Sequence, residues 1–204
     1  MLPRTFRLGP DLDYEPDPAT NVVAVAAARG RSVWDYTLEL MMADDGRGMM
    51  MHPFENYADG SLDTVREMLT DPASVMGVAD GGAHVGIICD ASQPTFMLSY
   101  WGRDRKRGRL PLELLVRKHA RDTAVCYGLN DRGVLAPGMK ADINVIDPDA
   151  IRLLPPEVIY DLPTGGKRIM QKAKGYRHTL VSGVETLCDD TPTGAFPGRV
   201  VRGV

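Results

Sequence analysis

Residues 128–148 read GLNDRGVLAPGMKADINVIDP, and they separate two textures in the chain. Gly133 and Gly138 suit tight turns, and Pro137 fixes a bend beside the second. Ala141 and Asp142 lead into an apolar run at 143–146, a strand that Asp147-Pro148 ends. The residue types are those of turns and packing, not of chemistry. Beyond this stretch the pattern is strand-rich: residues 176–181 and 184–187 flank Ser182-Gly183 and read as a hairpin. Before it the pattern is α/β, and a boundary falls near 128–135.

On the N-terminal side, Pro111 opens a long helix with Leu112, Leu115, Val116, His119 and Thr123 on one face, and Gly128 ends it. Glu113 and Arg117 are spaced to pair on its outer face. Residues 95–101 form a second helix, followed by the basic stretch RDRKRGR at 103–109, read as a solvated loop. Further upstream, SVMGVADGGAH at 74–84 reads as a short buried strand that ends on Asp80. An apolar run without alternation suits a parallel strand covered on both faces. In α/β folds the C-terminal ends of strands form the functional face, and Gly81-Gly82 let a ligand approach the backbone there. The helix at 62–69, stopped by Asp71-Pro72, and a brief strand at 48–52 complete a strand–helix–strand unit.

Residues 20–30 suit a short buried helix. Ser32 starts another, with Trp34, Leu38 and Met41 on its packed face. The opening 18 residues are polar, proline-rich and irregular. The methionines at 49–51 read as packing rather than metal binding.

The 204 residues carry a net charge of −3, which offers no nucleic-acid footprint. No apolar run reaches transmembrane length, and no signal peptide is visible. Three cysteines without a CxxC pair indicate neither a disulfide framework nor a cysteine-rich zinc site, so a cytoplasmic setting is expected. No membrane or nucleic-acid partner is expected.

Three stretches together resemble one family. ADGGAH at 79–84, the run from 109 to 151, and the tail GYRHTLVSGVET with TGAFPGRVVRG are similar to the C-terminal part of metal-dependent amidohydrolases of the N-acyl-D-amino-acid deacylase branch. The resemblance implies an α/β fold class: the last units of a (β/α)8 barrel over 1–130, then strands of a composite β-sandwich over 131–204. It implies a zinc-dependent hydrolase of linear amide bonds. Asp80 matches the family's proton shuttle, which takes a proton from water and hands it to the leaving amine. It is also a possible metal ligand, with the other ligands supplied from outside this chain.

By the same resemblance His84 aligns with a histidine of the loop after that aspartate and is a candidate for substrate or oxyanion contact. His52, at the end of the preceding strand, and Asn56 and Tyr57 in HPFENYADGS are further substrate-binding candidates. His119 reads as a satisfied core histidine and His178 as a structural residue on a strand.

A full barrel needs about 250 residues. The family's HxH pair and bridging ligand are not in this sequence. The expectation is therefore the C-terminal portion of a longer enzyme, inactive alone and holding no stoichiometric zinc. An N-acyl amino acid is the expected substrate, with the missing N-terminal segment or self-association as partner. Two alternatives stay open: a hydantoinase- or dihydropyrimidinase-like cyclic amidase, and a non-catalytic scaffold subunit.

Overall fold

The computed structural model describes residues 1–77, 79, 86–88 and 90–201. The opening segment contributes a strand, β1 (Phe6–Leu8), before helix α1 (Val22–Ala28). The side chain of Asn21 caps α1 by accepting from the N–H groups of Val23 and Ala24, both at 3.0 Å. Val22 and Ala26, four apart, are buried on one face. Small residues on α1 let helix α2 (Val33–Gly46) approach closely, and Tyr36 and Leu40 of α2 fill that contact.

The Ser32 cap of α2 forms as expected, at 3.3 Å to the Trp34 N–H. Helical geometry breaks at Ala43, with Asp44 and Asp45 in the left-handed region. The packed face of α2 differs from the sequence reading. Trp34, Leu38 and Met41 are exposed, Trp34 by 69%. α1 lies against the Tyr36–Leu40 side instead, and among the described residues nothing covers the other.

β2 (Met49–Met51) pairs antiparallel with β1, placing Phe6 opposite Met51 and Leu8 opposite Met49. This corrects the expected parallel unit. The described residues of 74–79 form no strand. A strand needs a neighbour for its backbone groups, and the partner of β2 comes from the supposedly irregular opening segment.

Helix α3 (Asp63–Thr70) follows as expected, with Leu62, Val65 and Leu69 turned toward the main core. That core is Met76, Met97, Trp101, Leu110 and Leu115. Met97 and Trp101 lie on a π-helical stretch, Met97–Asp104, that continues helix α4 (Gln93–Phe96). Leu115 lies on α5 (Leu112–Arg117), which runs through a π-helical turn, Lys118–Asp122, into α6 (Thr123–Cys126). The wider π turn changes the pairing: Arg117 Nε meets Asp122 at 3.0 Å, five residues on, rather than Glu113. It also alters the face, leaving Leu112 and Val116 exposed while Leu115 is buried. Gly128, with φ +71°, ends the run, and the Leu129 N–H closes it onto the Ala124 carbonyl at 2.8 Å.

Among the described residues, all remaining strands lie after Gly128. They are β3 (Ile143–Ile146), β4 (Arg152–Leu153), β5 (Glu157–Ile159), β6 (Arg168–Met170), β7 (Ala173–Lys174), β8 (Tyr176–Val181), β9 (Val184–Cys188) and β10 (Thr191–Pro192). One antiparallel sheet has the order β10-β9-β8-β3, and β4–β7 and β5–β6 form separate two-stranded ribbons. The β8–β9 hairpin turns on Ser182 and Gly183, both with positive φ, as their sequence suggested. Gly175 is required by close approach: its φ is +99°, and a Cβ there would meet the Ile151 backbone at 2.5 Å. The strands are tied to the helices through Arg103, which donates to the carbonyls of Pro148, Asp149 and Ile151. The result is a mixed arrangement of helices and antiparallel sheets.

Candidate functional site

Asp80 and His84 lie outside the described residues; residues 71–77, before them in the sequence, lie within. Lys118 is buried, and its Nζ donates to the carbonyls of Asp71 and Ser74 and to the Ser74 hydroxyl at 2.5, 2.6 and 3.0 Å. Three oxygens satisfy the three ammonium donors. Two residues further on, Met76 is locked into the main core. The chain is thus anchored at residues 71–76. Lys118 holds it there from the helical run that also carries Leu115. The sequence reading did not single this lysine out.

His52 follows β2 directly. Its Nδ1 lies 3.1 Å from the Thr5 hydroxyl, and the Phe54 ring meets it edge-on at 5.3 Å. Thr5 is buried beside β1, so β1–β2 pairing sets the position of the imidazole. Asn56 is exposed, with φ +63°, at the outer bend of the same loop. Tyr57 turns inward: it is buried, meets the Phe6 ring edge-on, and its hydroxyl donates to the Pro16 carbonyl. Burial and the nearby carboxylates, Glu15 first, push its ionisation up to about 12, so it stays a neutral donor. That hydroxyl ties the 52–57 loop to the opening segment.

Behind this loop is a buried ion network that the sequence reading missed. Arg105 is 1% exposed, which corrects the expectation of a solvated loop at that residue, while residues 106–109 are exposed as expected. Its Nη2 lies 2.8 Å from Glu15 Oε1 and 2.7 Å from Asp63 Oδ1, and its Nε is 3.0 Å from Glu15 Oε2. The guanidinium also lies over the Trp101 ring, 4.6 Å from its centroid. Glu15 further accepts from the Leu62 N–H at 2.8 Å and from the Tyr100 hydroxyl.

Burial alone would push the Glu15 carboxyl up. Arg105, the Leu62 N–H and the Tyr100 hydroxyl outweigh it and hold the group at about 2. Burial and Glu15 raise the Tyr100 phenol in turn. Each donor faces an acceptor, so the network works as a clamp between the opening segment, α3 and the 97–107 region. A cleft of about 640 Å³ opens beside it, walled by Asp13, Glu15, Tyr100, Arg105 and Arg107 among others; His52, Asn56 and Tyr57 do not line it. An acid-rich stretch, DLDYEP at 11–16, and a basic one at 103–109 were the visible signals for this pairing.

His119 also departs from expectation. Its Nε2 is buried without a hydrogen-bond partner among the described residues, and burial lowers its basicity. His178 sits exposed on β8, on a strand as expected. Among the described residues, no helix is long and apolar enough to cross a membrane.

Comparison with known proteins places these observations. The model of the amidohydrolase family matches residues 21–186. A D-aminoacylase from Alcaligenes xylosoxydans xylosoxydans is 30% identical over 179 residues, 87% of this chain and 32% of that protein. A crystal structure of D-aminoacylase, reported to define a novel subset of amidohydrolases, superposes with a TM-score of 0.50 at 24% identity. It covers 94% of this chain and 36% of the other. The chain therefore spans about a third of the length of these relatives. With the family pattern running from α1 to β9, the chain belongs to the amidohydrolase family.

Proposed function

We propose that this chain supplies the C-terminal part of a metal-dependent hydrolase that cleaves the linear amide bond of N-acyl-D-amino acids. The observation that carries this reading is the 30% identity to a D-aminoacylase over 87% of the chain, within the family match. In this reading residues 1–130 complete the last units of a barrel begun elsewhere, and residues 131–204 belong to a β-sandwich built from both ends of the protein. The exposed apolar face of α2, with Trp34, Leu38 and Met41, supports a covering segment or a second copy as partner.

Asp80 is the proton shuttle. It accepts a proton from the attacking water and returns it to the amide nitrogen as the C–N bond breaks. The family's zinc, when bound, polarises the amide carbonyl and makes water a nucleophile at neutral pH. The Asp80 carboxylate suits such an ion, with further ligands from outside this chain; among the described residues, no cluster of three metal-ligating side chains includes His52. In this reading His84 and His52 bind the substrate's polar groups, Asn56 contacts it from the loop, and Tyr57 supports that loop.

The test compares N-acyl-D-amino acids, N-acyl-L-amino acids and hydantoins as substrates. It uses the 204-residue chain and a protein of the relatives' full length that carries it. Expected are no turnover from the chain alone and D-selective turnover from the longer protein. Asp80→Asn should lower that turnover at least about 100-fold. Preference for hydantoins or L-substrates would overturn the substrate class, and near-normal turnover by Asp80→Asn would overturn the shuttle. An inactive long protein would favour the scaffold reading.

A further inference from the structure

The β8–β9 hairpin gathers three metal-ligating side chains far in sequence from Asp80. His178 and Cys188 are direct cross-strand partners and share a face. Glu185 would not join them on a regular strand. It lies three residues before Cys188, and an odd separation puts two side chains on opposite faces. The register shifts here: Thr179 pairs with Leu187, yet Leu180 pairs with Glu185. Thr186 is the extra residue of a β-bulge, and the bulge rotates Glu185 onto the face of His178 and Cys188.

The bulge is fastened on both sides. The Thr186 hydroxyl donates to the Thr179 carbonyl at 3.1 Å, the Thr193 N–H donates to the Thr186 carbonyl at 3.0 Å, and the Thr193 hydroxyl donates to the Glu185 carbonyl at 2.7 Å.

From this arrangement we propose that His178, Glu185 and Cys188 form a binding site for a divalent transition cation of the zinc class, separate from the hydrolytic site assigned to Asp80. One ligand atom from each residue lies within 4.8 Å of the others. His178 Nδ1 is 2.6 Å from Glu185 Oε1 and 4.0 Å from Cys188 Sγ. Tetrahedral zinc with bonds of about 2.0–2.3 Å sets neighbouring ligand atoms roughly 3.3–3.8 Å apart. Opening the first pair and closing the second by well under about 1 Å reaches that spacing, within the play of partly exposed side chains.

The donor set, one imidazole nitrogen, one carboxylate oxygen and one sulfur, matches zinc and its neighbours rather than calcium or magnesium. Three protein ligands leave a fourth position for water. Without a cation, burial and the Glu185 and Asp189 carboxylates keep the Cys188 thiol protonated. The cation reverses that balance: a metal–sulfur bond forms as the S–H bond breaks, and the proton goes to solvent. The remaining charges nearby are spoken for, since Arg177 pairs with Asp147 and Asp189. Bound metal bridges β8 to β9 and fastens the bulge. The sequence-based expectation that the isolated chain holds no stoichiometric zinc would then fail, for a reason unrelated to hydrolysis.

Cobalt(II) titration of the tag-free 204-residue chain under reducing conditions tests the site. Expected is a thiolate-to-cobalt charge-transfer band that saturates at one equivalent and is displaced by zinc. Cys188→Ser should abolish the band, and His178→Ala and Glu185→Gln should each weaken binding at least about tenfold. Cys126→Ser and Asp80→Asn should leave it unchanged, and an unchanged far-UV circular dichroism spectrum checks that each variant folds. No band, a band that survives Cys188→Ser, or Glu185→Gln binding as tightly as the parent would each overturn the three-ligand site.

Discussion

Replacing Glu15 by glutamine removes the charge that faces a guanidinium only 1% exposed, while keeping the side chain's size. The cost can be worked two ways. The carboxyl falls from 4.5 to about 2 on folding. At about 1.4 kcal/mol per pKa unit, that corresponds to ~3 kcal/mol. Breaking a buried ion pair from one side typically costs about 3–5 kcal/mol. Asp63 remains beside Arg105, half-exposed, which favours the lower end. Both routes describe the same interaction and agree on ~3 kcal/mol at neutral pH.

The pH dependence has a definite sign. The folded pKa is depressed, so the contribution is complete above the unfolded value of 4.5 and disappears as pH falls toward 2. Urea unfolding of parent and Glu15→Gln chains at a series of pH values measures both features. The gap should be ~3 kcal/mol at pH 7 and should close steadily between pH 4.5 and 2. A gap below about 0.5 kcal/mol at neutral pH, or one that does not change with acid, would refute the clamp.

Three other perturbations follow from the same geometry. Lys118→Met keeps the volume but removes the donors to Asp71 and Ser74, and should cost about 2–3 kcal/mol in urea unfolding with faster amide exchange at residues 71–76. Gly175→Ala forces a Cβ against the Ile151 backbone at φ +99°, and should destabilise by about 2 kcal/mol, read as a fall of roughly 4–8 °C in Tm. Tyr57→Phe leaves the buried Pro16 carbonyl without its donor and should cost about 1–3 kcal/mol at pH 7, with the same loss up to pH 10 because the phenol ionises only near 12.

Local signals in the sequence carried much of the secondary structure. Asn21 and Ser32 cap helices through their own side chains, Gly128 ends one with a positive φ, and Ser182-Gly183 turns a hairpin. Each depends on a few adjacent residues, so one-dimensional reading suffices. The family, too, was legible, because the stretch at 128–148 and the tail are runs of adjacent residues that can be read without the fold. The faces and pairings were not. Helical spacing grouped Trp34, Leu38 and Met41 as readily as Tyr36 and Leu40, and only the position of α1 decides between them. The apolar run at 74–79 had a strand's composition, but β2 found its partner at residues 6–8, far upstream in a segment with no strand signature.

What the sequence determined alone was therefore most of the helices, the β8–β9 hairpin, the change of texture after Gly128 and the family. Tertiary structure decided which charges are buried and which side chains meet. Arg105 and Lys118 resemble their solvated neighbours by residue type, and their roles exist only because Glu15, Asp71 and Ser74 fold onto them. His178, Glu185 and Cys188 share a face only through a bulge of one residue, a feature of strand register. Register and burial depend on contacts across long sequence separations, and a single sequence does not encode those as a local pattern.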